Sequence, residues 1–229
     1  MACLFMVACI REPLLLRKSY PYSINRIKIL QPSLTKLTKG VQMERISSKS
    51  DGKEIEEGSS EISLRRFDLS DVDDFMVWAT DDRVSRFCSW DTFTCREDAA
   101  KYIKNTIIPH PWFRAICINN RPIGEISVLP LSGEYRCRGE LECAIATKYW
   151  GQRIATKALK MVVSSIFSEW PYLQRLEAVV YVENAGSQRV LEKVGFQREG
   201  VLRKFLIKKG RAVAVDVVMF SLLSTHSKL

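Results

Sequence analysis

The sequence predicts a mixed α/β domain: a mostly antiparallel sheet with helices on both faces, preceded by an unstructured N-terminal extension. Three observations predict it. Short alternating runs and longer helical stripes follow one another from Glu61 onward, in an order that admits one late βαβ step. Apolar residues make up 46% of 229, enough for one buried core. Residues 1–43 show no sustained period, and residues 44–60 are charged and rich in Ser and Gly, as a linker is. The expected organisation is therefore extension 1–43, linker 44–60 and folded domain 61–225.

The elements follow in order. Ile62, Leu64 and Phe67 alternate as a short strand. Ser70-Asp71-Val72-Asp73 starts a helix with a hydroxyl cap and negative charge on the first turn, carrying Phe75, Val77 and Trp78. Thr94-Cys95-Arg96-Glu97 is a second capping box, opening a helix to about Ile107 that Pro109-His110-Pro111 ends. Trp112–Ile118 and Ile123–Leu129 flank Asn119-Asn120-Arg121-Pro122 as a hairpin. Glu140–Ala146 is a strand. Gly151–Trp170 carries a helical stripe through Ile154, Ala158, Leu159, Val162, Val163 and Ile166. Leu176–Val182 is a strand and Ala185–Val194 a helix stopped by Gly195. Gln197–Ile207 and Val213–Leu222 close the chain as strands around Lys208-Lys209-Gly210-Arg211.

Composition excludes some functions. The net charge of +9 suggests an anionic partner, but residues 1–43 hold seven basic residues and one acid, while residues 44–229 hold 28 and 25. The basicity belongs to the extension, and no direct nucleic-acid binding is expected of the domain. The extension reads as an organellar transit peptide or as the product of an upstream start ahead of Met43. The expected location is accordingly the cytoplasm, or a plastid or mitochondrion. Seven cysteines without a C-x-x-C pair suit reduced thiols, and with only His110 and His226 to join them no metal site is expected. No apolar run reaches the ~20 residues of a membrane span.

Two segments carry chemistry. Glu140-Leu141-Glu142-Cys143-Ala144-Ile145-Ala146 runs through Thr147–Trp150 into Gly151-Gln152-Arg153-Ile154-Ala155-Thr156, a strand entering a long helix. Such a start leaves backbone N–H groups free at the positive end of a dipole, ready for a phosphate, or it is a plain packing turn. In the second segment, Asn184 caps a helix with Ser187 on its first turn, which packing alone also explains.

Together the segments resemble the GNAT superfamily of acyl-CoA N-acyltransferases, and within it the Rim-type branch that acetylates ribosomal-protein N-termini. Tyr149-Trp150-Gly151-x-x-Ile154-Ala155-Thr156-x-Ala158-Leu159 is similar to that branch's pyrophosphate loop. Asn184-x-x-Ser187-x-Arg189-Val190-Leu191-Glu192-Lys193-x-Gly195-Phe196 is similar to its second signature, and Glu199-Gly200-Val201-Leu202-Arg203 with Asp216 to its closing hairpin. The resemblance spans about Leu64 to Leu223. It implies transfer of an acetyl group from acetyl-CoA to a primary amine, a protein N-terminus or a small amine, by direct attack in a ternary complex without a metal. The alternative is a catalytically weakened module that binds CoA or a partner.

The resemblance also assigns residues. Backbone at Ala144, Ile145 and Ala146 would bind the pantetheine arm, and the N–H groups of Gln152, Arg153, Ile154, Ala155 and Thr156 the pyrophosphate. Asn184 would bond the pantetheine or shape the active site. Glu140 would be the base, unless it sits in solvent or pairs with Arg136 or Arg138. Glu142 shares its strand face, so two nearby carboxylates could raise one pKa. Ser187 would donate to the leaving sulfur, since Leu191 stands where many members carry a tyrosine. Arg153 stands where the loop usually has glycine, and Glu142 where the strand usually has glycine.

Overall fold

The computed structural model describes residues 61–207 and 213–226; the expected extension and linker, and the turn at Lys208–Arg211, lie outside them. The strands are β1 (Ile62–Arg65), β2 (Phe113–Ile118), β3 (Arg121–Pro130), β4 (Arg138–Ile145), β5 (Arg175–Tyr181), β6 (Gln197–Ile207) and β7 (Ala214–Leu223). The helices are α1 (Val72–Ala79), α2 (Asp82–Ser85), α3 (Arg96–Tyr102), α4 (Ile154–Glu169) and α5 (Ala185–Val194). The strands form one sheet in the order β1-β2-β3-β4-β5-β7-β6. Every neighbouring pair is antiparallel except β4 and β5, which the crossover helix α4 joins in parallel.

Side chains alternate across the sheet and build two cores. On one face Ile126, Val128, Leu141 and Cys143 pack with the α4 stripe and with Val190, Leu191 and Val194 of α5. Each fully buried aliphatic side chain there is worth about 1.5–3 kcal/mol. On the other face Phe113, Ala115, Ala144, Val179, Tyr181 and Val217 meet an aromatic cluster of Phe75, Trp78 and Trp90. Phe75 touches Trp78 edge to face, with ring centroids 5.3 Å apart.

Local chemistry differs from expectation at three points. The cap ahead of α1 is Asp68, not Ser70: Asp68 and Asp71 form a reciprocal box around a short 3₁₀ turn, Leu69–Asp71. Asp71 also takes two hydrogen bonds from the Arg65 guanidinium, each 2.7 Å, fastening α1 to β1. The helix at Arg96 starts at Cys95 without a side-chain cap, so Thr94 does not play that part, and its last turn, Ile103–Ile107, is π-helical. The third difference is α2, a single turn capped by Asp81 that no sequence period announced.

The hairpin turn is two residues long, with Asn119 and Asn120 both at positive φ, as a primed turn requires. On β3, Gly124 has no room for a side chain: a Cβ there would lie 2.4 Å from the Ala144 carbonyl oxygen.

Candidate active site

The two parallel strands stay together for three residue pairs only, Arg138 with Arg175, Gly139 with Leu176 and Glu140 with Glu177. β4 continues to Ile145 and β5 to Tyr181, so beyond Glu140 the sheet parts. The register with β3 decides which backbone groups face the gap. Ala146 N–H donates to the Ile123 carbonyl at 2.9 Å. By ladder alternation Ala144 also faces β3, while Cys143 and Ile145 turn N–H and C=O toward the gap. Of the three residues expected along the cofactor arm, Ile145 alone points its backbone there. Its carbonyl accepts the Trp150 indole N–H at 2.8 Å.

Past β4 the chain makes a 3₁₀ turn, Thr147–Tyr149, and enters α4 through two left-handed residues, Gly151 at φ 82° and Arg153 at φ 61°. Open space surrounds the Gly151 Cα. Arg153 holds a conformation that costs a residue with a side chain about 1 kcal/mol or more. Lys157 N–H is the first to close an α4 bond, onto the Arg153 carbonyl at 3.0 Å. The N–H groups of Ile154, Ala155 and Thr156 therefore lack helical partners and add to the positive helix end. Gly151, Arg153, Ala155 and Thr156 line a solvent-open cleft together with Ile145 and the α5 residue Lys193. The geometry fits a phosphate-bearing ligand whose tail enters the gap: free donors, a small residue at Ala155, and two cations nearby. Lys193 is a binding candidate that sequence reasoning missed, because its reach to α4 depends on tertiary packing.

The second helix start is as expected in outline. Asn184 is buried and its Oδ1 accepts the Ser187 N–H at 3.2 Å. Ser187 is fully buried on the first turn, and Leu191 is fully buried core. Gly195 ends α5 at φ 100°.

Glu140 sits at the last paired position before the gap, half-buried, and shares the aromatic face with Glu142. Arg138 donates from Nε and Nη2 to Glu177, at 2.7 Å each. Burial pushes the Glu177 carboxyl up, but hydrogen bonds from Arg138 and Arg175 more than offset it and hold it below the usual range. Arg175 also holds Glu199, whose carboxyl is lowered to about 2, with Ser221 donating to it as well.

The acidic residue that sequence reading passed over is Glu125 on β3. It is 7% exposed and its Oε1 accepts the Trp90 indole N–H at 3.2 Å. Burial pushes this carboxyl up to about 8, and Glu142 adds repulsion. Burial likewise raises the Cys143 thiol well above its ordinary value, which makes it a poor nucleophile. A latch joins the two sides of the site: Asp81 beside α2 accepts the Thr147 hydroxyl at 2.9 Å and the Arg83 guanidinium at 2.7 Å. Among the described residues no cluster of His, Cys, Asp or Glu could hold a metal, and no helix is long and apolar enough to cross a membrane.

A mixed sheet parted between its parallel strands, opening onto an anion-ready helix start, is the architecture of an acyl-transferring domain. The family model described as an acetyltransferase (GNAT) domain matches residues 61–197, and the chain belongs to that family. It is an N-acetyltransferase by family. It is 30% identical over 162 residues to YoaA of Bacillus subtilis, called an uncharacterized N-acetyltransferase, covering 68% of this chain and 90% of YoaA. A GNAT-family acetyltransferase from Bacillus anthracis shares the fold at a TM-score of 0.64 and 24% identity, covering 73% of this chain and 97% of its own. So does RimL, a ribosomal L7/L12 α-N-protein acetyltransferase solved with coenzyme A, at 0.63 and 19%, covering 72% and 95%.

Proposed function

We propose that this chain transfers the acetyl group of acetyl-CoA to a primary amine, a protein N-terminus or a small amine, by direct attack within a ternary complex. The observation that carries this reading is the parting of β4 from β5 after Glu140 together with the free N–H groups at the start of α4, whose residues line one cleft with Ile145. The gap takes an extended arm against the Ile145 backbone, and Gln152 to Thr156 hold the phosphates, with Arg153 and Lys193 supplying charge. Acetyl-CoA supplies an activated thioester carbonyl when bound.

The rest is the chain's own work. An attacking amine must be neutral, yet an α-amino group has a pKa of ~7.7–8.0 and a lysine side chain ~10.4, so a carboxylate must take a proton. Glu140 fills that role, Asn184 shapes the site, and Ser187 donates to the departing sulfur. The resemblance to the Rim-type branch supports a protein N-terminus or a small amine as acceptor, and the basic, Ser/Thr-dotted residues 1–43 support an organellar location.

A second reading, a weakened CoA-binding module, draws on Arg153 in a left-handed position, on Glu142 where the strand usually has glycine, and on Leu191 buried where many members carry a tyrosine. Thermal-shift and thiol-release assays of the full chain separate the two, using peptides, polyamines and amino acids as acceptors. The first reading expects acetyl-CoA to raise the melting temperature and at least one amine to release CoA thiol. Stabilisation without any amine-dependent release leaves the second reading. Neither effect sinks both.

A further inference from the structure

Glu125 stands apart from the other carboxyls of the sheet. Glu177 and Glu199 are each held by arginines. Glu125 is only 7% exposed and makes no ion pair among the described residues, and its Oε2 is buried without a hydrogen-bond partner. Its surroundings come from three elements. Trp78 of α1 brings a buried indole N–H that also lacks a partner within hydrogen-bond geometry. Trp90, beyond α2, donates to Oε1. From β4 come Glu142 and the buried thiol of Cys143.

Register sets how Glu125 relates to the site. It lies opposite Ala144, and Ser127 lies opposite Glu142, so Glu125 and Glu142 are diagonal neighbours on the aromatic face of adjacent strands. At that spacing long side chains reach one another. Two carboxyls within reach of one another, one of them away from water, resist carrying two negative charges at once, and Glu142 raises the proton affinity of Glu125.

We propose that Glu125 and Glu142 act as one carboxyl pair that takes up a single proton, and that this pair is the sink for the proton that Glu140 takes from the acceptor amine, passed along the β4 face to Glu142 and held on buried Glu125. The inference deepens the acetyl-transfer reading and rests on it. The balance is simple. An ammonium acceptor gives up two protons as its C–N bond forms and the C–S bond of the thioester breaks. One leaves on the CoA thiol; the other passes by way of Glu140 to the pair and then to water. Glu125 acts through Glu142 and is a positioning residue. The Trp90 indole N–H lets it ionise at all in an apolar site, and burial keeps its proton affinity near that of an α-amino group.

Two readouts test the pair. In the parent enzyme kcat/KM rises with pH and bends near pH 8. Two acceptors whose ammonium pKa values differ by about two units share this bend, while the bend set by the acceptor moves. Glu125→Gln keeps the shape and the bond to Trp90 but cannot titrate: the shared bend disappears and kcat at pH 8.5 falls roughly tenfold or more. Tryptophan fluorescence reads the same ionisation without turnover, with a midpoint near pH 8 that is absent in Glu125→Gln. In Glu142→Gln the midpoint moves lower, because a repelling charge is gone.

A folded Glu125→Gln enzyme with parental kcat and an unchanged bend overturns the proposal. If Glu125→Gln does not fold, an unmoved fluorescence midpoint in Glu142→Gln overturns it, and a lowered midpoint supports it. Absence of turnover with every acceptor counts against the acetyl-transfer reading; turnover with unchanged profiles counts against the pair alone.

Discussion

Replacing Arg153 by glycine tests the loop most directly, because the side chain and the backbone pull in opposite directions. Arg153 starts α4 at φ 61°. A left-handed conformation costs an ordinary residue about 1–2 kcal/mol, and glycine adopts it freely. Glycine also gives the unfolded chain more freedom, which returns about 0.5–1 kcal/mol of that gain. The net is a stabilisation of roughly 0–1.5 kcal/mol, or at most about 3–6 °C in melting temperature for a domain of this size. The guanidinium is exposed and lines the cleft. An exposed pairing with a phosphate is worth about 1 kcal/mol or less, so losing it raises the KM for acetyl-CoA about two- to fivefold. Since the phosphates lie far from the reacting carbonyl, kcat stays put. Differential scanning fluorimetry and steady-state kinetics at low and high salt read all three quantities. The KM difference shrinks in high salt, because a screened charge contributes less. Arg153→Lys, which keeps both charge and strain, stays near the parent in each. A melting temperature that drops, or a KM that falls severalfold in Arg153→Gly, would refute the reasoning: the side chain would then be obstructing the anion or holding the turn.

Three further changes probe the frame. Gly124→Ala puts a Cβ 2.4 Å from the Ala144 carbonyl, so β3 and β4 must move apart; a loss of about 1–3 kcal/mol in urea denaturation is expected, with acetyl-CoA binding weakened alongside. Arg175→Met leaves buried Glu177 with Arg138 alone and strips Glu199 of its guanidinium. Glu199 is lowered to about 2 in the fold against ~4.3 unfolded, so its stabilising contribution is present above pH ~4.3 and fades as pH falls toward 2. The variant should therefore lose stability at pH 7 and show a shallower decline over that acid range. Glu125 has the opposite sign. Its carboxyl is raised to about 8, so the fold favours its protonated form, and its contribution is full below pH ~4.3 and lost as pH rises to 8. Urea titrations at pH 5, 6.5 and 8 should show Glu125→Gln gaining on the parent at each step; a constant difference would mean that Glu125 does not titrate there.

Local order was legible wherever one segment carries its own pattern. The α4 stripe, the Asn184 cap and Gly195 stop of α5, and the paired asparagines of the hairpin lie where the residues put them, because helix periodicity, capping and positive φ are decided within a few positions. Caps ahead of α1 and α3 went astray for a related reason. Asp68 and Ser70 are both competent caps two residues apart, and only the Arg65–Asp71 contact, which joins two elements, settles the choice. The active-site region shows the same division more sharply. Gly151, Arg153 and the free N–H groups of α4 are sequence-local, and the cleft lies among them.

The gap between β4 and β5 is a different kind of feature. Nothing in Glu140–Ala146 marks the residue after which pairing stops; that depends on where the α4 crossover returns the chain. Alternation then chooses between neighbours that look equivalent in sequence, turning the Ile145 backbone to the gap and the Ala144 backbone to β3. Glu125 was overlooked because Pro122-Ile123-Gly124-Glu125-Ile126 reads as an alternating strand with a solvent-facing acid. Its burial follows from α1 and the chain after α2 laying Trp78 and Trp90 over that face. A glutamate on the polar side of a strand pattern is informative only once the opposite layer is known. Here that layer is aromatic, and an unremarkable surface acid becomes a buried carboxyl that holds its proton up to about pH 8, one strand away from where the acceptor's proton must go.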